Sequence, residues 1–356
     1  MTIEAAKPAI STIWYTFCPV VSVSHIAYHQ GWLKEEFTRD DIQVMHISNL
    51  PQECWRSHWS HRHKQLFRDG ENIPPIWTKS EGVDTKVIGM YRIASRQCLV
   101  VRPNSPIATV KDLRGKRIAL PRRLGYLVDF WRGNTKVGVV MALKANGLVA
   151  GDVKFVDIPI DAPDIAKKKW VDAPTECASM RFRIGWKLPR QAEVEALQSG
   201  HVDAMFSYAG EVTILEQSGL VKPIYDALNY PYWRLTINHD FPSTITVNTD
   251  FAENYPDLVI RWLKVLIKSG RWAGENYAEV VRTMATETRV SEEVVRKSYS
   301  PNFHRHLVPE ISDQFIEALE IQKRFLKQHG FLSNNFDVKK WIDARYLDAA
   351  LKELAE

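Results

Sequence analysis

No stretch of this 356-residue chain is apolar for the length of a membrane span, which argues against a helical integral membrane protein. Cysteine is scarce. Cys18, Cys54, Cys98 and Cys177 show no paired spacing, so neither a disulfide framework nor a CxxC zinc site is indicated. No glycine-rich dinucleotide or phosphate loop is visible, and no cofactor is expected. Residues 1–11 carry no basic patch leading into an apolar stretch, so a secretory leader is not expected and the reading is a reduced, cytoplasmic protein. Internal repeats and low-complexity segments are also absent.

What is present is ordinary in bulk and unusual in detail. Hydrophobic residues make up 45% and charged residues 25%, as in a soluble globular protein with about two domains. The net charge of +5 is too diffuse to suggest nucleic acid and fits a small anionic ligand better. Separately, a monomer is expected. Twelve Trp is high for this length. Aromatic side chains mostly fill cores, though some of the excess could line an aromatic pocket.

Apolar runs alternate with helical patterns in a βαβ rhythm, predicting an α/β fold with mostly parallel strands. Strands are expected at 12–15, 42–47, 86–90, 98–101, 117–120, 153–158, 202–207, 221–225 and 244–247. Helices are expected at 24–32, 136–145, 190–198 and 211–217, and a mainly helical last third starts at 256. Ser291 suits a helix start there. The prolines of Arg102-Pro103-Asn104-Ser105-Pro106 and the stretch Tyr230-Pro231-Tyr232-Trp233 read as two crossings between lobes. They predict a discontinuous lobe of residues 1–104 and 235–356 and an inserted lobe of residues 105–234. A small ligand would sit in the cleft between them.

Cys18, followed by Pro19, closes the first apolar run, and a helical pattern follows it. A thiol between a strand end and a helix start lies where unpaired N–H groups collect, and these favour a thiolate. The competing reading is a buried core cysteine, and Cys54 and Cys98 read as structural. Trp131, Tyr208 and Trp233 are candidates for an apolar cage, with core packing the alternative. Arg122-Arg123 is either a solvated turn or a second polar contact in the cleft, and Lys167-Lys168-Lys169 reads as an exposed face.

Several stretches resemble the type II periplasmic-binding-protein superfamily, in its nitrate/sulfonate/taurine-binding branch. They run from Ser105-Pro106-Ile107 to Lys116-Arg117-Ile118, then Leu197 to Ala204, 251–256, and Gly270-Arg271-Trp272-Ala273. Within it the chain resembles the aromatic sulfinate desulfinases of biodesulfurisation, which convert hydroxybiphenyl sulfinate to hydroxybiphenyl and sulfite. The matching pieces include Cys18-Pro19-Val20, Asp69-Gly70-Glu71-Asn72-Ile73-Pro74-Pro75, Ala209-Gly210-Glu211 and His306-Leu307-Val308-Pro309. That resemblance implies a two-lobed fold with a hinged cleft and a catalytic set of Cys18, His58 and Arg68. Substrate contacts are expected from Arg68, Gly70, Glu71, Phe17, Thr16 and Trp131. The chain departs from the family pattern at Thr16 and Phe17, and at Glu71 where the family has glycine.

An aryl sulfinate spreads one charge over two oxygens, and a guanidinium such as Arg68 offers a planar fork of donors to both. His58 lies in Trp55-Arg56-Ser57-His58-Trp59-Ser60-His61-Arg62-His63. No carboxylate or cysteine completes a ligand set there, so no metal is expected, and His61 and His63 read as an exposed polar loop. Two routes fit the chemistry. In one, the Cys18 thiol protonates the ring and His58 positions it or activates water. In the other, the Cys18 thiolate attacks sulfur and His58 assists hydrolysis. A solute-binding protein for sulfonate-like anions and a decarboxylase on the same fold are the competing functions.

Overall fold

The computed structural model describes residues 10–18, 20–161, 190–238 and 241–356. Pro19, Cys177 and the lysines at 167–169 lie outside the described residues. The first sheet contains β1 (Thr12–Phe17), β2 (Gln43–His46), β3 (Leu66–Gly70), β4 (Thr85–Tyr91) and β10 (Ser243–Asn248), in the order β2-β1-β3-β10-β4. β1 runs parallel to β2 and β3, and β10 is antiparallel to both its neighbours. All five residues of β3 are buried, as expected of a strand covered on both faces.

Alternation along these strands sorts the side chains. Ile13, Tyr15, Phe17 and Phe67 join the core beneath the helix Pro256–Glu275, where Phe67 stacks on Trp262 at 4.3 Å. That helix starts on a proline, which is compatible with a first turn, and buries Leu258, Trp262, Leu263 and Leu266 at helical spacing. The opposite face carries Thr16 and Arg68, which the register sets side by side with Thr246. Cys18 and Gly70 stand two residues further along the same face. The ladder extends to them through the Cys18 N–H, which donates to Asp69 O at 3.0 Å.

A second group of strands comprises β5 (Gln97–Val101), β6 (Arg117–Leu124), β7 (Lys154–Asp161), β8 (Met205–Tyr208) and β9 (Lys222–Asp226). β5 lies between β8 and β9, β6 pairs in parallel with β7, and the Ile118–Ala204 bridge joins the two sets. The chain first passes between the groups in residues 92–96, ahead of the stretch at 102–106. Those prolines instead turn the chain from β5 toward β6. It returns between Asp226 and Ser243, a span that contains Tyr230–Trp233.

Buried amides tie these two passages together. Asn72 Nδ2 donates to Asn238 O and Pro242 O at 2.8 and 2.9 Å. Asn238 Nδ2 donates to Gln97 Oε1 and Asn134 O at 3.0 and 3.3 Å, and Gln97 Nε2 donates to Thr236 O at 3.0 Å.

The last third is helical as expected, through Pro256–Glu275, Tyr277–Thr288, Glu292–Ser298 and Asp313–Gln328. Ser291 does start its helix, its Oγ accepting from Val294 N at 3.2 Å. Among the described residues no helix is long and apolar enough to cross a membrane. The helix expected over 24–32 is shorter, Val23–His29, with Gly31 in the left-handed region before a further helix, Trp32–Thr38.

Candidate active site

The short helix Ser57–Ser60 brings His58 over the face of β1 and β3. Its Nδ1 meets Thr16 Oγ1 at 2.7 Å, and its Nε2 lies 3.8 Å from Cys18 Sγ. Arg68 underlies all three groups. Its Nε donates to His58 O at 2.8 Å, Nη1 to Glu71 O at 3.0 Å, and Nη2 to Cys18 Sγ at 3.2 Å. The thiol, imidazole and guanidinium expected from the sequence therefore do converge.

Gly70 explains why glycine is required beside the thiol. Its φ is +139°, and an added Cβ would fall 2.5 Å from both Cβ and Sγ of Cys18. No side chain fits there, and Gly70 serves as clearance for the cysteine.

Burial dominates the electrostatics. It pushes the Cys18 thiol up to about 12, despite opposing help from the Arg68 guanidinium and the Glu71 N–H. The carboxylates of Glu71 and Asp69 push the same way as burial. His58 is held well below its usual value, first by burial and then by Arg68, His46 and His61. The resting pair is thus a neutral thiol and a neutral imidazole. This corrects the thiolate expected from a helix start. The amides of helix Val23–His29 are engaged elsewhere: His25 N donates to Ser22 Oγ and Ser24 N to Asp69 Oδ2, both at 3.2 Å.

Cys18, His58 and Glu71 open onto a cavity of 510 Å³, within the usual range for a small-molecule site. Much of the remaining lining is aromatic or apolar, including Trp59, Phe130, Trp131 and Tyr208. Trp131 and Tyr208, two of the three aromatic candidates, line this cavity, whereas Trp233 does not. Thr16 and Gly70 act behind the thiol rather than as part of the lining. Phe17 faces the other way, stacked on Tyr15 at 4.6 Å and edge-on to His25 at 5.2 Å, because strand alternation opposes it to Thr16. Arg68 is fully buried and not itself a lining residue. The expected grip on both sulfinate oxygens is not what its occupied nitrogens offer.

Two further expectations need revision. His61 is not in an exposed loop. It is 1% exposed, with Nε2 3.1 Å from Thr246 Oγ1 and its carbonyl accepting from Asn248 Nδ2. His63 is half-buried, edge-on to Trp14 at 5.7 Å. Arg122 and Arg123 also separate: Arg122 is exposed, whereas Arg123 is buried against the cavity. The signal available for Arg123 was Asp129, six residues on, flanked by Tyr126, Phe130 and Trp131. Among the described residues no His, Cys, Asp and Glu cluster could hold a metal ion.

Two linked strand groups around a cavity with a buried thiol place this chain among periplasmic-binding-protein-like folds. The particular relationship is to a desulfinase. The chain is a homologue, 26% identical over 96% of its length and 93% of the relative's, of 2'-hydroxybiphenyl-2-sulfinate desulfinase from Rhodococcus erythropolis. No family model matches. The fold is that of a cysteine-to-serine variant of DszB crystallised with biphenyl-2-sulfinic acid: TM-score 0.73, 21% identity, covering 96% of this chain and 99% of that one. It is shared with the periplasmic aliphatic sulphonate-binding protein SsuA of Escherichia coli, at TM-score 0.65 and 13% identity, covering 94% and 92%.

Proposed function

We propose that this chain is an aromatic sulfinate desulfinase that hydrolyses a carbon–sulfur bond, turning an aryl sulfinate and water into the arene and bisulfite. The observation that carries this reading is the meeting of Cys18 Sγ, His58 Nε2 and Arg68 Nη2 at the edge of an aromatic cavity. Homology to a desulfinase over nearly the whole chain supports it. The proposed halves enclosing the substrate meet at residues 92–96 and again between Asp226 and Ser243, so the inserted half starts with β5 rather than at residue 105. β5 pairs into the inserted half.

A thiol that keeps its proton favours the acid route. Cys18 S–H protonates the ring carbon that bears sulfur. The carbon–sulfur pair then returns to the ring, so a C–H bond forms, the C–S bond breaks, and sulfur leaves as sulfur dioxide. The thiolate left behind is stabilised by the Arg68 Nη2 and Glu71 N–H donors already directed at Sγ. Water adds to sulfur dioxide to give bisulfite, and the released proton returns to Sγ through His58 Nε2. Thr16 fixes the imidazole plane for that transfer. Such positioned proton transfer contributes about 10²–10⁴-fold. Arg68 acts in this scheme by positioning His58 and Glu71 and by polarising Sγ.

The direct test is free sulfite from purified protein incubated with 2'-hydroxybiphenyl-2-sulfinate or biphenyl-2-sulfinate. Stoichiometric sulfite and arene are expected. Saturable binding of both compounds with no sulfite would instead define a solute-binding protein.

A further inference from the structure

The cavity has a second wall that the chemistry above does not use. Arg123, near the end of β6, is the buried cation on that wall, with its side chain 3% exposed. Asp129 fixes it: one carboxylate oxygen accepts from Arg123 N at 2.8 Å and the other from Nε at 3.1 Å. The same carboxylate caps the helix Phe130–Ala145 by accepting from Arg132 N, which ties the guanidinium to the start of that helix. Three rings then hold it, with Cζ 4.1 Å from the centroids of Tyr126 and Phe130 and 4.5 Å from Trp131.

One nitrogen of this fixed fork, Nη2, is buried and has no hydrogen-bond acceptor among the described residues. Leaving a donor of a buried charged group unsatisfied is costly, and such groups normally have partners. The Tyr126 hydroxyl also interacts with the guanidinium, and the aromatic faces offset part of its charge but accept no strong hydrogen bond. Arg190, across Trp131, also has a spare Nη2. It is paired with Glu211 and Glu193, however, and does not line the cavity. Among the buried arginines, Arg123 is therefore the one whose vacant donor belongs to a cavity-lining residue.

We infer that Arg123 is a specificity-determining residue that receives an acceptor oxygen carried on the part of an aryl sulfinate remote from sulfur. The inference rests on the desulfinase reading and adds to it the residue that reads a hydroxyl or carboxylate on the second ring of a biaryl sulfinate. Cys18 and its partners handle the sulfinate-bearing carbon, while Arg123 recognises the distal oxygen. A ring lacking that oxygen leaves Nη2 unpaired, and sites built to bond a hydroxyl discriminate strongly against analogues without it.

The test is a preference ratio measured in the wild type and in Arg123→Lys, which keeps a cation for Asp129 and loses the fork. The probes are 2'-hydroxybiphenyl-2-sulfinate, its 2'-carboxy analogue and biphenyl-2-sulfinate. They are read by sulfite release and, independently of turnover, by calorimetric binding. The wild type should prefer the oxygen-bearing probes, and the substitution should lower that preference by about 10- to 100-fold. Equal losses for all three probes, at an unchanged ratio, would make Arg123 a purely structural residue and overturn the inference. So would a wild type that binds the unsubstituted probe equally well. Absence of sulfite from every probe defeats the desulfinase reading alone, because the binding ratio still reports on Arg123.

Discussion

Arg68 and Arg123 are both buried guanidinium groups at one cavity, and they differ in what their nitrogens are doing. Every nitrogen of Arg68 already donates within the protein, to two carbonyls and a sulfur. Arg123 is clamped at one nitrogen and keeps another without an acceptor among the described residues. Charge and burial alone would give them the same role. Following each donor to its acceptor separates a residue that organises the chemical wall from one that faces the ligand.

The largest expected effect lies on the chemical wall. Cys18→Ser should lower the rate constant for sulfite release by about 10²–10⁴-fold, because a hydroxyl is a poor substitute for the proton donor. Affinity for biphenyl-2-sulfinate should survive, and full turnover in this variant would remove Cys18 from the mechanism. Arg68→Lys comes next. One ammonium cannot reach the His58 carbonyl, the Glu71 carbonyl and Sγ together, so kcat should fall more than KM rises. A change confined to KM would erase the contrast with Arg123. Gly70→Ala forces a methyl against Cys18 at a positive φ, and should cost about 1–3 kcal/mol along with most activity. Thermal unfolding with circular dichroism measures the first part. Thr16→Val removes the partner of His58 Nδ1, and a rate loss of about 5- to 20-fold is expected from one buried hydrogen bond. Unaltered kcat would show that the imidazole is positioned without it.

The smallest effects concern pH. With the thiol near 12 and His58 well below its usual value, neither group titrates near neutrality. The proposed kcat/KM profile should then be flat from about pH 6 to pH 9, and a bell centred near pH 7 would contradict the neutral pair. Stability should respond more. His46 and His61 are lowered to about 3 and about 4, chiefly by burial, and His58 is lowered as well. Below an unfolded value of about 6.5 the unfolded chain binds protons that the folded one does not, so stability rises with pH across this window. The contribution is complete above about 6.5 and is lost as pH falls toward 4 and 3. Urea midpoints at pH 7 and pH 5 would show it, the lower midpoint being expected at pH 5.

Much of the chemical wall was legible before any coordinates. Cys18 stands out at the end of the first apolar run, whereas Arg68, Gly70 and His58 come from the family resemblance. The strands expected from sequence include none at β3, and the first of them ends at residue 15. They therefore miss the register that sets Thr16 beside Arg68 and the alternation that turns Phe17 away. What alternation could not supply was the neighbour across the fold. His61 looks solvated in a run of basic residues, yet Thr246 and Asn248, nearly two hundred residues away, enclose it. Arg123 sits beside an exposed arginine, and its burial depends on the turn carrying Tyr126 and on the helix capped by Asp129, which brings Phe130 and Trp131 back over it. The first crossing was expected at the prolines of 102–106, because proline marks a break but does not say which sheet the next strand joins.

The amide relay through Asn72, Asn238 and Gln97 has a mechanical consequence. Swinging the strand groups apart about these passages would strain the three buried hydrogen bonds through which Asn238 joins Asn72 to Gln97 and Asn134, each contributing roughly 1 kcal/mol. A carrier that must gape to load and clamp to be recognised gains nothing from such a latch. A reaction vessel does, because its walls hold their spacing from one turnover to the next.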